Sequence, residues 1–341
     1  MFQRILVPLD GSTRAERALP IAARIARTAG GTLILLRAVI IPVGYGYGPY
    51  LIQGSAFIER DTEDELEAKR YLADISTSDA LAGISTETTV LHGAPALALL
   101  DAIPQHHVDL VIICSHGYTG VKRWVLGSVA HEIARHGSAP VLILREDNVL
   151  PLDLSSEAAS PHYTYGIVVA LDGSERSLAA IEPAAWLAAA LATPPARGIL
   201  HLTRVFPLPP PSELDESIDL AIREQVLSGA GKYMSRVADD LREGLAKELN
   251  LQVNWSIIVD TDVAHGLITI AEKGEASNER YDLIAMTTHG QGRRLHWPIG
   301  TVTERVLSAT TLPLLVVRPQ ETEPEQAEYE PAEAQSSLSK L

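Results

Sequence analysis

The chain alternates two kinds of hydrophobic pattern. Short, unbroken aliphatic runs such as "RILVP", "TLILLRAV", "DLVIIC" and "APVLIL" are separated by longer stretches in which apolar residues recur every three or four positions. An aliphatic run without polar interruption is what a strand shows when helices cover both faces of its sheet. The longer stretches predict those covering helices. Strands are expected near 4–9, 32–39, 86–90, 108–114 and 140–144. Helices are expected over 13–28, with Ser12 placed to cap the first turn, and over 59–75. Such alternation implies a parallel, doubly wound sheet joined by right-handed crossovers.

The whole series then repeats. "RILVPLDGSTRAERAL" is answered by "GIVVALDGSERSLAAI", "VDLVIICSHG" by "YDLIAMTTHG", and "APVLILR" by "LPLLVVR". The second set of strands is expected near 166–171, 198–205, 252–259, 282–287 and 313–317. The reading is an α/β protein of two tandem doubly wound, Rossmann-like domains, each with five parallel strands, over 1–147 and 163–320. Residues 148–162 lack a steady period and read as a linker. Residues 321–341 are polar and proline-bearing, with six glutamates against one lysine, and read as a disordered acidic tail.

Composition narrows the class. With 341 residues, the chain is about two ordinary domains long. Hydrophobic residues at 46% and charged residues at 21% suit normal cores, and the aliphatic runs fall short of the roughly 18 residues of a membrane span. The apolar stretch at the start is too short for a signal peptide, and a single cysteine leaves no internal disulfide. A cytoplasmic protein is expected. The net charge of −15 argues against nucleic acid and anionic membranes as partners, since the summed field repels phosphate.

Any phosphate ligand must then be held by local geometry, and the repeat carries a suitable device. Both halves contain His-Gly, nine residues, then Gly-Ser or Gly-Thr, directly after the fourth strand. Ligands of open parallel sheets sit beyond the carboxyl ends of the strands, where this motif falls. Gly117 and Gly120 let the backbone turn and approach a ligand closely. Gly127-Ser128, and Gly300-Thr301 after Gly290, stand at the start of a helix, where free amides and the helix dipole suit a phosphate. Lys122, Arg123, Arg293 and Arg294 add local positive charge. Asp10 and Asp172, after the first strand of each half, can accept from a ribose hydroxyl or a base amine. The same Asp-Gly-Ser segments serve equally as strand-to-helix turns with a capping serine. Together the parts describe a nucleotide cradle.

With these motifs the chain resembles a tandem universal stress protein, over roughly 1–146 and 163–319. The ATP-binding members of that family carry Gly-x-x-Gly, nine residues, then Gly-Ser/Thr. Gly117 and Gly127, and Gly290 and Gly300, match its second and third glycines, while Cys114 and Thr287 stand at the first. The resemblance implies further contacts. Pro8 precedes the adenine-end aspartate, Ala38 and Val205 offer backbone toward adenine, and Val129 and Val302 bring amides to phosphate. It implies ATP, AMP or ADP as ligand, magnesium only alongside the nucleotide, and pairing of the two fifth strands within the chain as a pseudo-dimer, with room for a homodimer. Pro8 and Gly93 have Ala170 and Thr261 as counterparts, so the first site is ranked as the likelier occupied.

Other patterns receive plainer readings. His116 and His289 shape loops, because no nucleophile or orienting acid recurs beside them. Trp124 and Trp297 are packing residues, and "HHVD" at His106 lacks metal-ligand spacing. "SGAGKY" around Lys232 fails as a phosphate loop, lacking its first glycine and its Ser/Thr. Three functions remain: a nucleotide-binding regulatory or stress-protective protein without efficient catalysis, a slow ATPase, and a nucleotide-free interaction protein.

Overall fold

The computed structural model describes residues 2–40, 54–115, 126–145, 164–207, 216–274, 281–290 and 299–319. The first half runs β1 (Arg4–Pro8), α1 (Thr13–Glu16), α2 (Ala18–Ala29), β2 (Thr32–Val39), α3 (Gly54–Ser76), β3 (Ser85–His92), α4 (Pro95–Gln105), β4 (Leu110–Cys114), α5 (Ser128–His136) and β5 (Val141–Leu144). The second runs β6 (Gly166–Ala170), α6 (Glu175–Leu178), α7 (Ile181–Leu191), β7 (Ile199–Phe206), α8 (Glu216–Glu243), α9 (Leu245–Glu248), β8 (Gln252–Val259), α10 (Val263–Lys273), β9 (Leu283–Thr287), α11 (Thr301–Ala309) and β10 (Leu314–Val317). The tail, the linker and the segment around "GYGYG" lie outside the described residues.

All ten strands join one sheet in the order β3-β2-β1-β4-β5-β10-β9-β6-β7-β8. Within each half the pairs are parallel, and the switch in strand order falls between β1 and β4, and again between β6 and β9. The halves meet through β5 and β10, the one antiparallel pair among the described strands, with Leu142 opposite Leu315. This is the expected pairing of the fifth strands, and it covers two edges that would otherwise be open.

The aliphatic runs are buried on both faces. Ile5, Val7, Leu110 and Ile112 enter one core with α2 and α7, while Leu6, Val111 and Ile113 enter another with α4 and α5. The first core runs across both halves. Arg24 of α2 reaches over and donates to Ala190 O, Ala192 O and Thr193 Oγ1 at 3.3, 2.9 and 3.0 Å. On the opposite face, His131 Nε2 lies 2.9 Å from Glu304 Oε1. Each is the fourth residue of its helix, so the local two-fold relation brings matching positions together.

The expected helix over 13–28 is two helices, broken at Arg17. Pro20 has no amide to donate to Glu16 O, and its ring crowds that carbonyl. Pro183 breaks α6 from α7 in the same way. Ser12 caps as expected, accepting from Ala15 N at 3.2 Å, and Ser174 accepts from Ser177 N at 3.3 Å. No helix of the described residues is long and apolar enough to cross a membrane.

Candidate functional site

The carboxyl ends of β1 and β4, and of β6 and β9, carry the candidate residues. Pro8 closes β1, and the chain turns at Asp10-Gly11-Ser12 into α1. Asp10 Oδ1 accepts from Ser12 N at 2.9 Å and Ser12 Oγ at 2.6 Å. Asp172 repeats this with Ser174 at 2.9 and 2.6 Å. Both turns need glycine, since Gly11 and Gly173 stand at φ +86° and +89°. The capping turn and the ligand role are thus compatible: Oδ1 builds the turn, and in the second half Oδ2 lies against Gly290. A Cβ there would fall 1.7 Å from it.

Beside each turn lies a residue that the two halves share but that falls outside the glycine motif. "LLRAV" and "LTRVF" share an arginine inside an aliphatic run. Arg37 and Arg204 cover the turn glycines: a Cβ on Gly11 would meet the Arg37 guanidinium at 3.4 Å, and one on Gly173 would meet Arg204 at 2.7 Å. Gly173→Ala should therefore cost about 1–3 kcal/mol in urea unfolding, and more than Gly11→Ala, because it adds overlap to the same left-handed strain. Equal losses would show that the arginine simply moves aside.

The helix ends behave more selectively than expected. Gly127 N donates to Ser115 O at 2.6 Å and Gly300 N to Thr288 O at 2.7 Å, so neither glycine amide is open. The next three amides of each helix, those of Ser128, Val129 and Ala130 and of Thr301, Val302 and Thr303, have no acceptor among the described residues. Neither helix has a side-chain cap. The anion-binding groups are thus these following amides, with the glycines closing the loop that presents them.

In the second half the pieces converge. Asp172, Val205, Thr287, Gly290, Gly300, Thr301 and Val302 all line one cavity of about 670 Å³, together with Arg204. Thr287 is buried, and its Oγ1 donates to His289 O at 3.0 Å, while Thr303 Oγ1 donates to Thr287 O at 2.9 Å. The threonine at the first-glycine position thus turns its hydroxyl to the loop backbone. In the first half, Ala38, next to last in β2, pairs with Leu91, and Cys114 Sγ approaches Ala15 O at 4.0 Å. Gly117, Gly120, His116, Trp124 and the basic residues at 122 and 123 lie outside the described residues, as do Arg293, Arg294 and Trp297. "SGAGKY" lies within α8, where its backbone is helical and cannot form a phosphate loop.

A family model described as the universal stress protein family matches residues 1–145 and again 166–318. The chain belongs to the universal stress protein family. It holds two copies of the family domain, and curated relatives match one copy each. A universal stress protein of Bacillus subtilis is 29% identical over 148 residues, covering 42% of this chain and 100% of its own. One of Thermus aquaticus is 32% identical over 150 residues, again 42% and 100%. A crystal structure of a universal stress protein from Archaeoglobus fulgidus aligns over 93% of this chain and 99% of its own, at 20% identity and a TM-score of 0.60. That likeness speaks for the tandem fold.

Electrostatics around the two arginines differ between the halves. Burial, followed by its hydrogen bond to Glu16, pushes the Tyr71 hydroxyl above its ordinary range. Tyr233, its counterpart beside Arg204, is also pushed up by burial, while the Arg204 charge opposes the rise.

Proposed function

We propose that this universal stress protein binds an adenine nucleotide, ATP or its mono- or diphosphate, as a regulatory or stress-protective protein without efficient catalysis. The observation that carries the reading is the second-half cavity. It is lined by Asp172, whose carboxylate its own turn holds, and by Thr301, Val302 and Thr303, whose amides have no acceptor among the described residues. The amides suit phosphate oxygens, and Asp172 suits a ribose hydroxyl or the base amine. Magnesium would arrive only with the nucleotide. The first half repeats the Asp-Gly-Ser turn and the open amides of α5, and takes the same ligand in this reading. With Pro8 and Gly93 where the second half has Ala170 and Thr261, the first half is the likelier occupied of the two sites in this reading.

Native mass spectrometry of the full chain, purified without added nucleotide and then titrated with ATP, tests this. One or two bound adenine nucleotides per chain are expected. A chain that stays ligand-free at millimolar ATP would favour the interaction-protein reading. Steady phosphate release at an ordinary enzymatic rate would favour the ATPase.

A further inference from the structure

The Arg-Tyr pair is duplicated, but its surroundings are not. Arg37 sits 5.1 Å from the Tyr71 ring centre, and Arg204 sits 5.6 Å from Tyr233 and 4.5 Å from Phe206. In the first half two carboxylates serve this pair. Glu67 meets Arg37 at 3.6 Å, and Glu16 accepts the Tyr71 hydroxyl at 2.9 Å. Glu67 lies one helical turn before Tyr71, and Glu16 follows Asp10 in the helix after the turn. The corresponding positions in the second half are Gly229, one turn before Tyr233, and Leu178 after Asp172. Neither has an acceptor side chain.

The consequence is visible in the second half. Among the described residues Arg204 has no ion pair or hydrogen bond, and the buried Tyr233 hydroxyl has no carboxylate acceptor, only the Ser177 hydroxyl beside it. The neighbouring Ser177 hydroxyl is committed to Ser174 O at 2.7 Å. A half-buried guanidinium without a counter-ion is costly unless something anionic completes it. Arg204 lines the cavity with its guanidinium over the Asp172-Gly173 turn, the part that the reading above gives to the ribose or base, whereas the α11 amides are given to the nucleotide's own phosphate.

We infer that the second half selects a nucleotide carrying an additional phosphate at its ribose end, bound by Arg204 with Tyr233 as supporting donor, and that the first half does not. The inference rests on the nucleotide reading above and deepens it. In the first half, Glu16 and Glu67 already answer the donors and repel a further anion. In the second half the residues at those two positions, Leu178 and Gly229, carry no charge.

The test is calorimetry on the full chain with AMP and with adenosine 3′,5′-bisphosphate, using GMP to detect a simple preference for a ring carbonyl. The bisphosphate should bind the unmodified protein about tenfold tighter than AMP, as a charge-assisted guanidinium–phosphate contact allows. Arg204→Met should erase that ratio while AMP still binds, and Arg37→Met should leave it. Gly229→Glu restores the first half's counter-ion at a site where a Cβ meets nothing within 4 Å, and should erase the ratio too. Equal affinities for AMP and the bisphosphate overturn the inference, as does a ratio that survives both Arg204→Met and Gly229→Glu. A gain for GMP alone overturns it in favour of base recognition. Failure of every nucleotide to bind instead overturns the nucleotide reading itself.

Discussion

Leu142→Ala and Leu315→Ala should each lower stability by about 2–5 kcal/mol, the range for removing a fully buried leucine. Both side chains are at 0% exposure, directly opposite each other in the antiparallel β5–β10 pair, and in the core shared by the two halves. Opposed residues of an antiparallel pair share a face, so each truncation opens space against the other. The double variant should consequently fall short of the sum of the singles. The seam adds a second expectation. The two halves are held together here by backbone pairing, by their shared cores, by Arg24, Arg145 and Arg318 donating to carbonyls of the other half, and by the His131–Glu304 contact. A weakened seam should let one half unfold before the other, seen in urea as a split transition or a lower apparent slope. Losses under about 1 kcal/mol in both single variants would mean that the seam repacks and that the halves are joined chiefly by their helices.

The strands were legible because burial on both faces leaves no room for polar residues, so each strand prints itself as an aliphatic run. "DLVIIC" became β4 at Leu110–Cys114, and "ILHLTRVF" became β7 at Ile199–Phe206. The break at Arg17 was less visible. The apolar period of "RAERALPIAARIA" continues through Pro20, and only the missing amide and the ring clash interrupt it. Spacing marked the glycine motif but not which amides it offers. Gly300 N closes the loop on Thr288 O, and that bond depends on where two distant segments meet. The contact between His131 and Glu304 is of the same kind. Each looks like an ordinary exposed helix residue until the β5–β10 register places the helices side by side. Arg37 and Arg204 were readable in principle, as polar residues repeated inside apolar strands. Their meaning lay in Glu16 and Glu67, which reach the Arg37–Tyr71 pair from other elements, and in Leu178 and Gly229, which stand at the corresponding positions of the second half.

Gly290→Val should abolish nucleotide binding by the second half while the fold remains. A Cβ at Gly290 would fall 1.7 Å from Asp172 Oδ2 and 2.7 Å from its Cγ, so the carboxylate must leave its place. It cannot leave cheaply, because Ser174 N and Oγ hold Oδ1 at 2.9 and 2.6 Å and thereby fix the Asp-Gly-Ser turn. Relief comes instead from shifting the loop that carries Gly290 into the cavity. The added methyls then occupy the volume between Asp172 and the α11 amides, where the nucleotide is proposed to lie. Gly300→Val acts at the other end, where its Cβ meets Thr288 O at 3.0 Å, the carbonyl that the Gly300 amide uses to close the loop. Each change should weaken binding to that half at least tenfold, equivalent to about 1.4 kcal/mol. Folding costs should be about 1–3 kcal/mol, as for other overpacked sites. Counting bound nucleotides by native mass spectrometry separates the halves: Gly290→Val should remove one ligand, and Gly127→Val the other. If Gly290→Val and Gly300→Val both leave the count and the affinities unchanged, the second-half cavity is not where the nucleotide binds. Asp172 then serves only to turn the chain into its helix.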